Sequence, residues 1–210
     1  MQNRRRVVIL LMLALMAGSI MAHAEDGVIS VPVPIGEYDI KQTQLGQEAY
    51  VENFGRLLVP GKPNMPSKIF AVAIPPGAEV AGVTFETGES IVLPGVYDIV
   101  PSGLPRVIGE ENPQLYQRDQ ETYQANFNSV YGSDEPYPAS VGEVVRTAGF
   151  RKYNLVDVRV TPFTYRPLSG ELTYYPQVTV RVSYTFPKGF SAGDIMFDNL
   201  ARKERIAEEI

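Results

Sequence analysis

The sequence predicts an all-β fold, an antiparallel β-sandwich with a short helix and a C-terminal helical tail. Apolar and polar residues alternate with period two over several segments, the signature of half-buried strands. Gly/Pro turn chemistry separates these short runs at roughly the 8–12-residue spacing of sandwiches and barrels. The 210-residue chain has no cysteine, so its stability must come from a packed core and not from disulfides.

In chain order, the first element is an export signal. Arg4, Arg5 and Arg6 precede the apolar run Val7 to Ala17, and Ala22-His23-Ala24 places small residues where a signal peptidase reads. The alternative, a membrane anchor, needs about 20 apolar residues, and Gly18 and Ser19 interrupt the run before that. Residues 1–24 are therefore expected to be removed after Ala24, leaving Glu25 first and no membrane attachment after cleavage. The mature chain is expected to be secreted, periplasmic or at the cell surface.

From Ser67 to Pro101 the chain reads strand, turn, strand, turn, strand. The breaks fall at Pro75-Pro76-Gly77 and Gly88, and Pro94-Gly95 interrupts the third strand. Ile69 to Ile74 is apolar at nearly every position, which predicts a strand buried on both faces inside the sandwich. Next, "NPQLYQRDQETYQANFNSVYG" is polar with scattered aromatics, and predicts a short helix capped by Asn112 with Pro113 in its first position. "YNLVDVRVTPFTY" then sets Val156, Val158 and Val160 opposite Asp157 and Arg159, while "QVTVRVSYTF" sets Val178, Val180, Val182, Tyr184 and Phe186 on one face. "RPLSGE" joins them with turn residues, so a β-hairpin is expected from about Tyr153 to Phe186. Together these patterns predict a core that includes Ile69, Val72, Ile74, Val83, Phe85, Val158, Val180 and Val182. The tail "DIMFDNLARKERIAEEI" carries Ile195, Phe197, Leu200 and Ile206 at loosely helical spacing and ends on charges. We expect three parts: signal peptide 1–24, a β domain 25–190, and a linker or helical tail 191–210 leading toward a further domain.

The residue inventory bounds the chemistry. His23 is the only histidine and leaves with the signal, so the mature chain has neither thiol nor imidazole. Ser-His-Asp and Cys-His mechanisms lose their base, and zinc, iron and copper lose their favoured ligands. Carboxylate-pair chemistry or an oxygen-ligated calcium site would survive this count. The acidic pairs Glu110–Glu111 and Asp134–Glu135 are too close in sequence to make a glycosidase site by themselves. No cofactor is expected. Without the signal arginines, 16 basic residues face 24 acidic ones, a net charge of −8; nucleic acid and anionic lipid are poor partners for such a chain.

Several fragments, in order, resemble the N-terminal propeptide domain of gingipain-type cysteine peptidases. These are "GKPNMP" (Gly61 to Pro66) followed by an apolar strand and "IPPGAEV", then "YDIVPS" with "ENP", then "YGSDEPYP" (Tyr131 to Pro138), and finally "VRVTPFTYRPLSGELTYYPQVTVRVSYTF". The resemblance covers about Gly61 to Phe186. It implies a β-sandwich that lies on a caspase-like cysteine peptidase catalytic domain, in cis or in trans, assisting its folding and holding it latent. No such catalytic domain is present in this sequence. The resemblance also implies a basic side chain, presented by one loop, in the primary specificity pocket.

Arg106 is the candidate for that side chain, in a run broken by Pro101, Gly103 and Pro105, whose prolines restrict the backbone, and closed by Gly109. Its guanidinium could pair in bidentate fashion with a carboxylate at the pocket floor. Counted from "VPS" the inhibitory position falls near Arg106, slightly early; counted from "ENP" it falls on Gly109. The plainer reading is a solvated loop arginine. Arg202, Lys203 and Arg205 are candidate maturation sites, or else the solvated face of a helix. Tyr116, Tyr123, Phe127, Tyr131 and Tyr137 could stack on sugars, although such residues more often serve as core or interface. A non-catalytic propeptide is thus the leading function. The alternative is a free-standing secreted β-sandwich that binds glycan or protein, with a carboxylate-pair enzyme third.

Overall fold

The computed structural model of the chain describes residues 26–104, 113–150 and 153–189. Among these residues the chain forms β1 (Gly27–Val33), β2 (Tyr38–Thr43), β3 (Gly46–Val51), β4 (Gly55–Leu57), β5 (Met65–Ile74), β6 (Glu79–Thr87) and β7 (Ile91–Val92). There follow α1 (Pro113–Tyr131), β8 (Gly142–Phe150), β9 (Tyr153–Val160), β10 (Phe163–Arg166), β11 (Glu171–Tyr174) and β12 (Val178–Thr185). The fold is all-β and sandwich-like, with strands paired antiparallel and, among the described residues, one helix. Residues 1–24, the expected signal, and the predicted tail beyond 189 lie outside the described residues.

Two sheets make the main sandwich. One runs in the order β1-β12-β6 and the other β4-β5-β9-β8. Because side chains alternate along a strand, each sheet turns one set inward. Val178, Val180 and Val182 of β12 meet Val72 and Ile74 of β5 and Val156, Val158 and Val160 of β9, with Val33, Ala78 and Val141 closing the cluster. Val83 and Phe85 are partly buried against it. Seven of the eight predicted core residues therefore face this core. Ile69 does not: it is 50 % exposed on the outer face, directly opposite Arg159. β5 is interior in the sense that β4 and β9 flank its edges, but one of its faces is open. Ile69, Ala71 and Ala73 stand on that open face, beside the cross-strand pairs Arg146–Asp157 and Arg159–Glu143. A mostly apolar run signals burial on two faces only when a layer covers each of them.

The expected hairpin from Tyr153 to Phe186 also divides. Only β10 and β11 pair, from Phe163↔Tyr174 to Arg166↔Glu171. Beyond them β9 joins β5 and β8, whereas β12 joins β1 and β6 in the facing sheet. The change of partner follows Pro162 on one arm and Pro176 on the other, residues that cannot donate to a ladder. The hairpin thus works as a fork that spans the sandwich, with its shared end in a second core. There β10, β11 and β7 form a small sheet, with the β2–β3 ladder as a separate pair. Val51, Met65, Leu93, Ile99, Phe163, Tyr165, Leu172 and Tyr174 fill this core.

Helix α1 begins at Pro113 as predicted and runs 19 residues, longer than the short helix expected. Asn112, its predicted cap, lies outside the described residues. The third predicted strand shrinks to two residues, since Pro94-Gly95 ends pairing and Gly95 adopts a φ of 113°.

Candidate functional site

The candidate loop leaves the body from a strip of extended chain, Asp98 to Ser102, that is hydrogen-bonded along its length. Gln47 N donates to Asp98 O at 2.6 Å, and its side-chain oxygen accepts from Asp98 N at 2.8 Å. Val100 N donates back to Gln47 O at 3.0 Å. On the other side Asn64 N reaches Val100 O at 2.9 Å, Ser102 N reaches Lys62 O at 2.8 Å, and Gly61 N reaches Ser102 O at 2.9 Å. Pro60, Pro63 and Pro101 lie in the same double strip. Having no N–H, they are tolerated because the alternate residues supply the donors. This is the local meaning of "GKPNMP" and "YDIVPS": the two segments are one another's backbone partners.

The loop returns into α1, which is tied to the same strip. Tyr131 donates its hydroxyl to Ile99 O at 2.6 Å, and Asn126 Nδ2 donates to Pro60 O at 2.9 Å. Tyr123, Phe127 and Tyr131, at i and i+4 spacing, stack with centroids 6.2 and 4.6 Å apart, and Tyr131 meets Tyr165 edge-on at 6.5 Å. Gly61 lies directly beneath the helix with a φ of 79°; a Cβ there would run into the Tyr123 carbonyl oxygen and stand 3.0 Å from its carbon. The strip that leads into the stretch 103–112 and the second half of the helix that follows it are therefore held to one another. Asn64 Oδ1 and Ser102 Oγ are buried at the rim of this platform with no hydrogen-bond partner among the described residues.

"YGSDEPYP" completes the surroundings. Tyr137 and Tyr165 exchange backbone hydrogen bonds, each at 2.8 Å. The Asp134 carboxylate accepts from Ser169 N at 2.8 Å and Ser169 Oγ at 2.9 Å, which holds it below the usual carboxylate range. Its backbone carbonyl accepts from Arg166 at 2.7 Å. Asp134 is thus a clamp on the β10–β11 turn. The aromatic stretch serves mainly as the seam between helix and body, with Tyr116 the exposed member. Among the described residues, no three His, Cys, Asp or Glu side chains gather where a metal ion could sit.

Burial governs the tyrosines. It pushes the hydroxyl of Tyr131 far above its ordinary range and that of Tyr137 up to about 12, because the phenolate would be poorly solvated. Tyr165 and Tyr174 are raised for the same reason. Folded values above the ordinary value of about 10 mean that this stabilisation is complete below pH ~10 and is lost as pH rises through about 12. The melting temperature should accordingly fall as the pH is raised from about 9 to about 11.5, with tyrosinate absorbance near 295 nm appearing in step with unfolding. A flat melting temperature over that range would contradict the buried seam.

Arg106 and Gly109, the two candidate inhibitory positions, lie outside the described residues, as do Ala24, Arg202, Lys203 and Arg205. What sequence reasoning missed is the platform. Gly61, Gln47, Asn126 and Tyr131 hold it, and the one signal for it in the sequence is the density of proline and glycine in Pro60 to Pro66.

No curated protein matches the chain. Among solved structures, it is similar to the complex of Porphyromonas gingivalis RgpB pro- and mature domains, with 19 % identity and a TM-score of 0.54, covering 85 % of this chain and 94 % of that one. It is also similar to a structure reported for the zymogenic latency of gingipain K from Porphyromonas gingivalis, with 14 % identity and a TM-score of 0.50, covering 78 % of this chain and 100 % of that one. At such identities the likeness speaks for the fold. The Propeptide_C25 family matches residues 35–208, most of the chain and well past the sandwich. The chain belongs to the propeptides of gingipain-type peptidases.

Proposed function

We propose that this chain is an exported, non-catalytic propeptide that assists folding of a caspase-like cysteine peptidase domain and keeps it latent by occupying its cleft. One observation carries the reading: the family's propeptide frame is present, and within it the stretch 103–112 follows directly on a strip hydrogen-bonded on both sides, against which the next helix is anchored. A platform of this kind lowers the entropy lost when a loop docks, which is what an inhibitor loop requires. Arg106 is four residues beyond buried Ser102, so the chain can carry its Cα up to about 14 Å from the platform. Within this reading Arg106 enters a pocket that prefers basic residues, the signal is cut after Ala24, and maturation cleaves near Arg202, Lys203 or Arg205.

The test is an inhibition constant against the cognate peptidase catalytic domain. Arg106→Ala should weaken inhibition by about 2 kcal/mol or more, roughly thirtyfold, and Arg106→Lys should fall between, since lysine keeps the charge but not the planar fork. Melting temperatures should barely change. Equal inhibition by all three proteins would remove Arg106 from the site and direct attention to Gly109. Absence of inhibition by the wild type would overturn the latency reading itself.

A further inference from the structure

A cleft of about 400 Å³ opens between Lys62, the start of β8 and the end of β9. The charges that line it do not balance. Arg159 and Glu143 stand directly opposite each other on β9 and β8 and form an ion pair, so they cancel. Each described arginine of the two main sheets is paired with a carboxylate in this way. Lys62 is not. It is half-buried, its ammonium lies 5.7 Å from the centroid of the Tyr137 ring, and no carboxylate among the described residues pairs with it. One positive charge is left over in the cleft, in a chain whose net charge is −5.

A second unmet group lines the same cleft. Thr161 is 3 % exposed and its backbone N–H donates to Val141 O at 2.8 Å, but its hydroxyl has no hydrogen-bond partner among the described residues. An ammonium and a hydroxyl, both able to donate and both unanswered by protein groups, mark a place for an acceptor. The backbone around them is fixed. Lys62 N donates to Val59 O at 3.0 Å while the Lys62 carbonyl accepts from Ser102 N, Tyr137 exchanges two bonds with Tyr165, and Ser140 Oγ accepts from Gly142 N at 3.3 Å. The lining is therefore set before a ligand arrives, which limits the entropy lost on binding.

We propose that this cleft is a carboxylate-binding site that takes the acidic end of a short aliphatic chain. Lys62 supplies the charge and Thr161 a hydroxyl donor, and Arg159 keeps guanidinium N–H groups beyond the one given to Glu143. Leu57 and Val59, also in the lining, offer apolar surface to the methylene groups behind the carboxylate. One uncompensated positive charge suits a monoanionic carboxylate and not a phosphate dianion. A free short-chain acid and a glutamate side chain presented on a partner's surface share this chemistry. The assignment does not depend on the propeptide reading.

The experiment is an NMR titration of the purified protein with butyrate, butyramide, inorganic phosphate and the capped tripeptide acetyl-Ala-Glu-Ala-amide. Butyrate should shift the backbone amides of Lys62, Gly142 and Thr161 with a Kd on the order of 1–10 mM, as one charge-assisted contact in an open cleft allows. Butyramide, similar in shape but uncharged, and phosphate should bind at least about tenfold more weakly. Lys62→Gln should weaken butyrate binding by about tenfold or more, and Thr161→Val, which keeps the shape and removes the hydroxyl, by about threefold, both at unchanged melting temperature. Lys62→Gln decides alone if Thr161→Val does not fold. Binding of butyrate without the tripeptide assigns the site to a free acid, and binding of the tripeptide, lost in Lys62→Gln, admits a presented glutamate; either upholds the site. The site is overturned if neither carboxylate shifts these amides, if Lys62→Gln binds as the wild type does, or if butyramide or phosphate binds equally well.

Discussion

Val180→Asp should severely destabilise the fold or prevent it from forming. Val180 is fully buried at the middle of β12, with Val31 opposite it on β1 and Phe85 opposite it on β6. Its side chain belongs to the apolar cluster between the two sheets, while its neighbours Thr179 and Arg181 on the same strand face outward. A carboxylate there would have no cationic partner and no water, so it must either stay charged at great cost or take up a proton. The expected loss is about 3–5 kcal/mol, which at about 2–4 °C per kcal/mol for a chain of this size lowers the melting temperature by on the order of 10 °C or prevents folding. Arg181→Ala, one residue on, is the control. Arg181 points outward and pairs with Glu86 at 2.7 Å, with both side chains about half exposed. Loss of that pair should cost less than about 1 kcal/mol. Thermal melts of both proteins decide the register, since a one-residue slip would exchange their effects.

Gly61→Ala is expected to cost about 2–4 kcal/mol, a large effect for the addition of one methyl group. Two penalties coincide. The φ of 79° is a conformation that residues with a Cβ seldom adopt, and the added carbon would collide with backbone of α1 at Tyr123. Backbone cannot rotate aside as a side chain can, so the helix must lift from the strip. That movement strains the Asn126–Pro60 and Tyr131–Ile99 bonds, and with them the seat of the helix into which the stretch 103–112 runs. Gly61→Ala should therefore lower the melting temperature and weaken inhibition together, unlike Arg106→Ala, which should affect inhibition alone. Gly82→Ala supplies the contrast: that position has open space around the would-be Cβ and is not among the glycines of positive φ. It should be close to neutral, or slightly stabilising through the unfolded chain. Gly61→Ala with a melt equal to Gly82→Ala would show that the helix does not bear on the strip.

Much of the architecture is legible in the residues themselves. Period two along Val178 to Phe186 identifies β12 and the inward set Val178, Val180 and Val182, because alternation is a property of the strand itself. Pro113 marks the first turn of α1, since its fixed φ and missing N–H suit that position. The residue inventory is likewise read without help from structure: the sequence has one histidine, His23, and no cysteine. The ordered fragments from "GKPNMP" to "TVRVSYTF" point to the family that residues 35–208 match.

What the sequence could not say is which segments meet. Ile69 has the same apolar character as Val72 and Ile74, yet only tertiary packing decides that a facing layer covers one side of β5 and leaves the other to solvent. The pattern from Tyr153 to Phe186 fits a continuous hairpin equally well as a fork, and the choice rests on whether β9 and β12 gain more by pairing with each other or by facing across a core. The platform is the clearest case. Lys62 and Ser102 are hydrogen-bonded partners forty residues apart, and Gly61 needs its lack of a side chain because α1 crosses above it. Local sequence encodes period, turns and chemical inventory, since those depend on neighbours along the chain. Long-range pairing depends on summed burial and backbone hydrogen bonding between distant segments, a quantity that exists only once the chain has folded.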